Sequence, residues 1–116
     1  MARMKDVKAI VRTECVAGLL EALKESGVSR FYLSKVHAIG RGVDPDDYKL
    51  SLDEGSAYTE KTAVEFVCAA SRAQELIEVI RTWAGTGRRG DGIVIVSDVS
   101  DVVNVRTGDH NRIALL

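Results

Sequence analysis

The sequence predicts an α+β domain made of two β-α-β units, with a long loop between them and a short strand after the second. Three observations carry that expectation. Runs of period-two apolar residues alternate twice with apolar stripes of helical period. About twenty residues without either period separate the two units. The length, 116 residues, is that of one domain, residues 1–116.

Val7 to Arg12 alternates as a strand does, with Val7, Ala9 and Val11 on one face. Thr13 then offers an N-cap and Glu14 an acidic first turn. Val16, Leu19, Leu20 and Leu23 follow at helical spacing, and Gly27 closes that helix. Phe31 to Ile39, rich in aromatic and branched residues, reads as the second strand. Gly40 to about Glu60 is the long loop. It holds the only proline (Pro45), the acids Asp44, Asp46, Asp47, Asp53 and Glu54, and a few apolar residues, Val43, Tyr48, Leu50, Leu52 and Tyr58. Those are too few for a core and suit a mobile element that docks on a partner.

Thr62 to Cys68 is the third strand, and Glu65 alternates away from its Val64/Phe66 face. Ser71 with Gln74 forms a capping box for a second helix. Its buried stripe is Leu76, Ile77, Ile80, Trp83 and Ala84, and Gly85 is the C′ residue. A glycine loop, Thr86 to Gly92, leads into a largely buried fourth strand, Ile93 to Val96. Asp98 to Asp101 turns the chain, and Val102 to Arg106 is a short fifth strand. The order matches a ferredoxin-like βαββαβ sandwich. Its second sheet face also carries apolar residues, Ala63 and Val67, which an identical subunit would cover.

Charge and composition narrow the function. A net charge of −1 supplies no basic field for a nucleic-acid backbone, and no apolar run is long enough to span a bilayer. Met1 to Asp6 lacks the apolar core of a signal peptide, so the cytoplasm is the expected location. Cys15 and Cys68 lack metal or disulfide spacing, and His37 and His110 have no ligand-type neighbours. With no nucleophile–base pair, paired carboxylates or metal cluster, no catalytic or metal residue is assigned, and an enzyme is not expected. The glycine loop is the strongest signal. Three glycines beside Arg88 and Arg89 suit a phosphate, because glycine lets N–H groups turn toward an anion. Taken alone, the same glycines equally suit a plain helix-to-strand connection.

The stretch from Thr86 to Gly108 resembles the PII signal-transduction family, which carries T-G-x-x-G-D-G-K, an apolar strand, then R-x-R-T-G. The matching residues are Thr86-Gly87-Arg88-Arg89-Gly90-Asp91-Gly92-Ile93 and Asn104-Val105-Arg106-Thr107-Gly108. Upstream, Ile39-Gly40-Arg41 is similar to the F-G-R entry of the family's T-loop, and Lys61 and Glu65 match its lysine and glutamate after that loop. The resemblance implies a homotrimer with an adenine nucleotide in each cleft between subunits. The T-loop would span about residues 40–60, the B-loop about 85–93 and the C-terminal segment about 104–116. The implied nucleotide residues are Ile39, Gly40, Arg41, Gly42, Lys61, Glu65, Val67, Gly87, Arg88, Gly90, Asp91, Gly92, Ile93, Asn104 and Arg106. The T-loop would dock on a target, a nitrogen-metabolism enzyme or a transporter.

The departures set the ligand expectation. Ile93 stands where the family has a phosphate-binding lysine, and Asn104 where it has an arginine. Losing two charge-assisted bonds, at roughly 1.5–3 kcal/mol each, favours ADP or AMP over ATP as the effector. Gly42 replaces the glutamine used with magnesium and 2-oxoglutarate, and Glu54 stands at the tyrosine that some members have modified. Magnesium is therefore left open. The alternative is a trimeric interaction or small-anion-sensing module of the same fold that has lost classical ATP and 2-oxoglutarate sensing. Whether Arg88 or Arg89 supplies the missing charge is a question for the structure.

Overall fold

The computed structural model describes residues 3–115. Met1, Ala2 and Leu116, the ends of the expected domain, and the side chain of Ile113 lie outside that description. The described elements run β1 (Met4–Arg12), α1 (Val16–Glu25), β2 (Tyr32–Ala38), β3 (Lys49–Ser51), β4 (Ser56–Ala69), α2 (Ala73–Ala84), β5 (Gly92–Val99) and α3 (Asn111–Ala114). The sheet order is β2-β4-β1-β5, with every neighbouring pair antiparallel and β3 added to the start of β4. With both long helices on one face, this is the ferredoxin-like α+β fold.

The register explains the core. Val7 lies opposite Phe66 and Ala9 opposite Val64, so their side chains share the helix-covered face. Leu19 and Leu23 of α1 and Leu76 and Ile80 of α2 close over them, all essentially without solvent contact. Phe31 meets Phe66 edge-on with ring centroids 6.2 Å apart. Burying a side chain such as Phe66 stabilises the fold by about 1.5–3 kcal/mol. The other face carries Ile10, Ala63, Val67, Ile93 and Ile95 beside Asp6, Lys8 and Glu65, as their cross-strand pairing requires.

Several sequence expectations change. Thr13 and Ser71 cap nothing: each helix is entered through a 3-10 turn, Thr13–Cys15 or Ala70–Arg72, with no side-chain cap. Thr13 Oγ1 instead lies 3.0 Å from Thr62 Oγ1. Gly27 does end α1 with φ +98°, but Gly85 ends α2 at φ −83°. Gly85 is needed for space, since a Cβ there would lie 2.5 Å from the Arg81 carbonyl oxygen. Trp83 is more than half exposed and lies across Gly18 of α1 rather than in the core. β5 is an edge strand, so Ile93, Ile95 and Val96 stay partly exposed. The fifth strand is reduced to a single bridge between Val103 and His110, closing a turn over Asn104–Gly108.

The long loop is the largest difference. It is not patternless: β3 pairs with the first residues of β4, which runs 14 residues, and the two form a hairpin. His37 on β2 stacks on Tyr58 with centroids 4.0 Å apart and hydrogen-bonds Glu54 at the hairpin turn. Tyr48, Leu50 and Leu52 project outward, and Leu52 is fully exposed.

Candidate functional site

The site is built where three segments meet: the end of β1, the root of the long loop, and the glycine loop before β5. Arg12 is the last residue of β1 and is 4 % exposed. Across the strand pair it faces Lys61, also buried. Two buried cations side by side are tolerated only if each finds its own partner. Arg12 finds two carboxylates. Its Nε and Nη2 donate to Asp44 Oδ2 at 3.1 and 2.8 Å, and its Nη1 donates to Asp91. Nη2 also donates to the Arg89 carbonyl at 2.8 Å. Burial opposes the Arg12 charge, but bonds to Asp44 and Asp91 more than offset it and raise its pKa. Lys61 Nζ donates to the Gly90 carbonyl. Burial, then the Arg12 charge, pulls the Lys61 pKa below its ordinary value.

Asp91 organises the glycine loop from inside. Its carboxylate accepts the N–H groups of Thr86 and Gly87 at 2.7 and 2.9 Å, the Thr86 hydroxyl and the Arg12 guanidinium. Burial alone would raise its pKa; the bonds from Thr86, Gly87 and Arg12 outweigh burial and bring it to about 2. The glycines follow from the path this imposes. Gly92 has φ +117°, and a Cβ there would sit 1.8 Å from the Ile10 carbonyl oxygen. Gly90 has φ +96° and lies against Asp44, with 3.0 Å between the Asp44 Cβ and the position a Cβ would take.

These segments enclose a cleft of about 580 Å³. Of the residues expected at the site, Ile39, Arg41, Gly42, Lys61, Arg88, Gly90, Asp91, Gly92 and Ile93 all line it. Arg88 is the loop arginine that reaches the cleft wall, whereas Arg89 meets Arg12 through its carbonyl. Gly40, with φ +69°, opens the 3-10 turn Gly40–Gly42 that brings Arg41 to the wall. Gly87 faces a second groove, on the far side of the loop, between α2 and β5. Among the described residues, no group of three His, Cys, Asp or Glu is placed to hold a metal ion. Nor is any helix long and apolar enough to cross a membrane.

The family model for "Nitrogen regulatory protein P-II" matches residues 4–109. The chain belongs to the P-II family. P-II proteins are regulatory signal transducers of nitrogen metabolism, not enzymes, and this chain is one of them. It is 33% identical over 106 residues to a nitrogen regulatory protein P-II of Rhizobium meliloti, covering 91% of this chain and 95% of that one. An Arabidopsis thaliana PII bound to citrate superposes with TM-score 0.80 at 30% identity, covering 97% of this chain and 92% of that one. A B. subtilis GlnK–ATP complex gives TM-score 0.80 at 25% identity, covering 99% of both chains.

The remaining residues expected of a P-II site lie elsewhere on the subunit. Val67 lines a small cavity of about 110 Å³ with Val28, Tyr32, Val102 and Leu115. Glu65 stands on the open sheet face beside Asp6. The neighbouring Asp6 carboxyl, and then burial, hold its carboxyl above the usual range. Asn104 is committed to its own turn: Oδ1 accepts the N–H groups of Arg106 and Thr107, and Nδ2 donates to the Ala114 carbonyl. Arg106 is exposed in the middle of the Asn104–Gly108 turn. Two residues central to the geometry, Arg12 and Asp44, were not anticipated. Arg12 reads as the last residue of an alternating strand, and Asp44 as one acid among five in a loop. Only their pairing across 32 positions reveals them.

Proposed function

We propose that this P-II protein is a homotrimeric regulator that binds an adenine nucleotide in clefts between subunits and acts on a partner through its T-loop. The observation that carries this reading is the gathering of Arg41 and Arg88, with Lys61 buried behind them, around a loop of positive-φ glycines in one cleft. Such a wall offers charge and closely approachable backbone to a phosphate. The ATP carried by the similar B. subtilis GlnK supports an adenine nucleotide as the ligand class. Glu65, Val67 and Arg106 would complete the site from their positions on a neighbouring subunit, with the B-loop at about residues 85–93 and the C-terminal segment at about 104–116. The partly exposed Ile93 and Ile95 and the exposed Tyr32 on the uncovered sheet face support the trimer.

ADP or AMP binds ahead of ATP in this reading, because Ile93 offers no charge and Asn104 is engaged in its own turn. The T-loop, about residues 40–60, presents exposed Leu50 and Leu52 at its hairpin to a nitrogen-metabolism enzyme or a transporter in the cytoplasm. Titration calorimetry with AMP, ADP and ATP, each with and without magnesium and 2-oxoglutarate, tests the reading. ADP or AMP should bind more tightly than ATP, and Arg88→Ala should weaken binding about tenfold or more. No binding by any adenine nucleotide would overturn it. Binding of citrate or another small anion in their place would favour a small-anion sensor of the same fold, a reading that the citrate-bound Arabidopsis thaliana PII motivates.

A further inference from the structure

We propose that Asp44 is an internal anion that latches the root of the T-loop onto the B-loop, and that a ligand's phosphate competes with it. The inference rests on the reading of the cleft as a phosphate site, but its contacts stand independently. Asp44 is 2 % exposed although it lies in a loop. Its Oδ2 takes two donors of Arg12, and Arg12 reaches through Nη1 to Asp91, the organiser of the B-loop. Its Cβ and Cγ lie against Gly90, the glycine whose carbonyl accepts Lys61. Its Oδ1 accepts the Asp46 N–H at 2.9 Å, and its own N–H donates to Thr59 Oγ1 at 2.6 Å. The same Thr59 hydroxyl donates to the Asp47 carbonyl at 3.0 Å.

Asp44 therefore ties the T-loop root to the B-loop through a single buried cation. Arg88 is close enough for its charge to act on the Asp44 carboxylate. A phosphate entering the cleft meets Arg88 within the field of that carboxylate, which repels it. Binding is easier once the carboxylate is released, and releasing it frees residues 43–47 at the T-loop root. The latch thus converts an anion in the cleft into a looser T-loop root. By reciprocity, a partner that holds the root in place weakens the ligand.

The experiment uses the full chain, with ADP as the probe, read by titration calorimetry and by amide hydrogen exchange over residues 43–47. Asp44→Asn keeps the shape and the bond to Asp46 while removing the charge. ADP should bind about tenfold more tightly to it, and the root amides should exchange faster without ligand and no longer respond to ADP. Arg12→Gln should speed exchange at the same amides, although it also loosens the B-loop. Asp53→Asn removes a charge from the same loop away from the cleft and should change neither readout. Unchanged or weaker ADP binding by Asp44→Asn, or wild-type exchange at its root amides, overturns the latch. If the wild type binds no nucleotide, the functional reading fails, and ligand-free exchange alone decides whether the latch exists.

Discussion

Replacing Asp91 with asparagine tests how the B-loop is held. The side chain keeps its size but loses the charge that receives two backbone N–H groups, a hydroxyl and a guanidinium. The carboxylate is 24% exposed, and its pKa falls from 3.8 to about 2. A shift of that size corresponds to about 2 kcal/mol of stability tied to the charged form. Asp91→Asn should therefore lower the unfolding free energy at pH 7 by about 2 kcal/mol and the melting temperature by roughly 6–10 °C. The pH dependence follows from the sign. The folded pKa is depressed, so the stabilisation is complete above the unfolded value and is lost as pH falls through the folded one. The gap between wild type and variant should be full at pH 7, roughly halve by pH 3 and close below about pH 2. Urea unfolding at pH 7, 5, 4 and 3 measures it. A gap below about 0.5 kcal/mol at pH 7, or one that does not narrow by pH 3, would refute the assignment.

Gly92→Ala should destabilise the fold by about 3 kcal/mol or more, since its Cβ would overlap the Ile10 carbonyl. Gly87→Ala, where no atom lies within 4 Å, should cost only the left-handed backbone term of about 1–2 kcal/mol; equal losses in denaturant titrations would show that space is not the issue. Leu52→Asp, at a fully exposed side chain, should leave stability within about 0.5 kcal/mol and abolish capture of the T-loop partner in a pull-down. Ile93→Lys should restore a cation at the cleft and raise ATP affinity more than AMP affinity; calorimetry showing equal changes would argue against a phosphate count set by charge.

What the sequence disclosed was whatever depends on short-range periodicity. Val7, Ala9 and Val11 alternate into the core, and Leu19, Leu23, Leu76 and Ile80 follow at helical spacing, so the βαββαβ order was legible. Edges were not. Ile93, Ile95 and Val96 read as buried because an edge strand and a central one share the same apolar run, and only sheet order separates them. The β3–β4 hairpin escaped because Leu50 and Leu52 project into solvent and the buried contact at its base is polar, Thr59 accepting the Asp44 N–H, rather than an apolar stripe. Asp91 was picked out as a ligand-side residue. It lines the cleft, and its carboxylate points into the loop, which composition cannot indicate.

The cations of the cleft divide into two kinds, and that division bears on the ligand. Arg12 and Lys61 are buried and hold internal partners, Asp44 and Asp91 for one and the Gly90 carbonyl for the other. They set the shape of the wall. Arg41 and Arg88 line the same cleft, and neither pairs with a carboxylate among the described residues. In the proposed reading these two are the charges left for a phosphate. Two guanidiniums suit one or two phosphate groups, and Ile93, on the same wall, has no donor to offer a third. Asn104 adds nothing to either kind, because its side chain is spent on its own turn. In the proposed reading an arginine at that position would serve a ligand, whereas the asparagine bonds tie the Asn104–Gly108 turn to Ala114 and serve the fold.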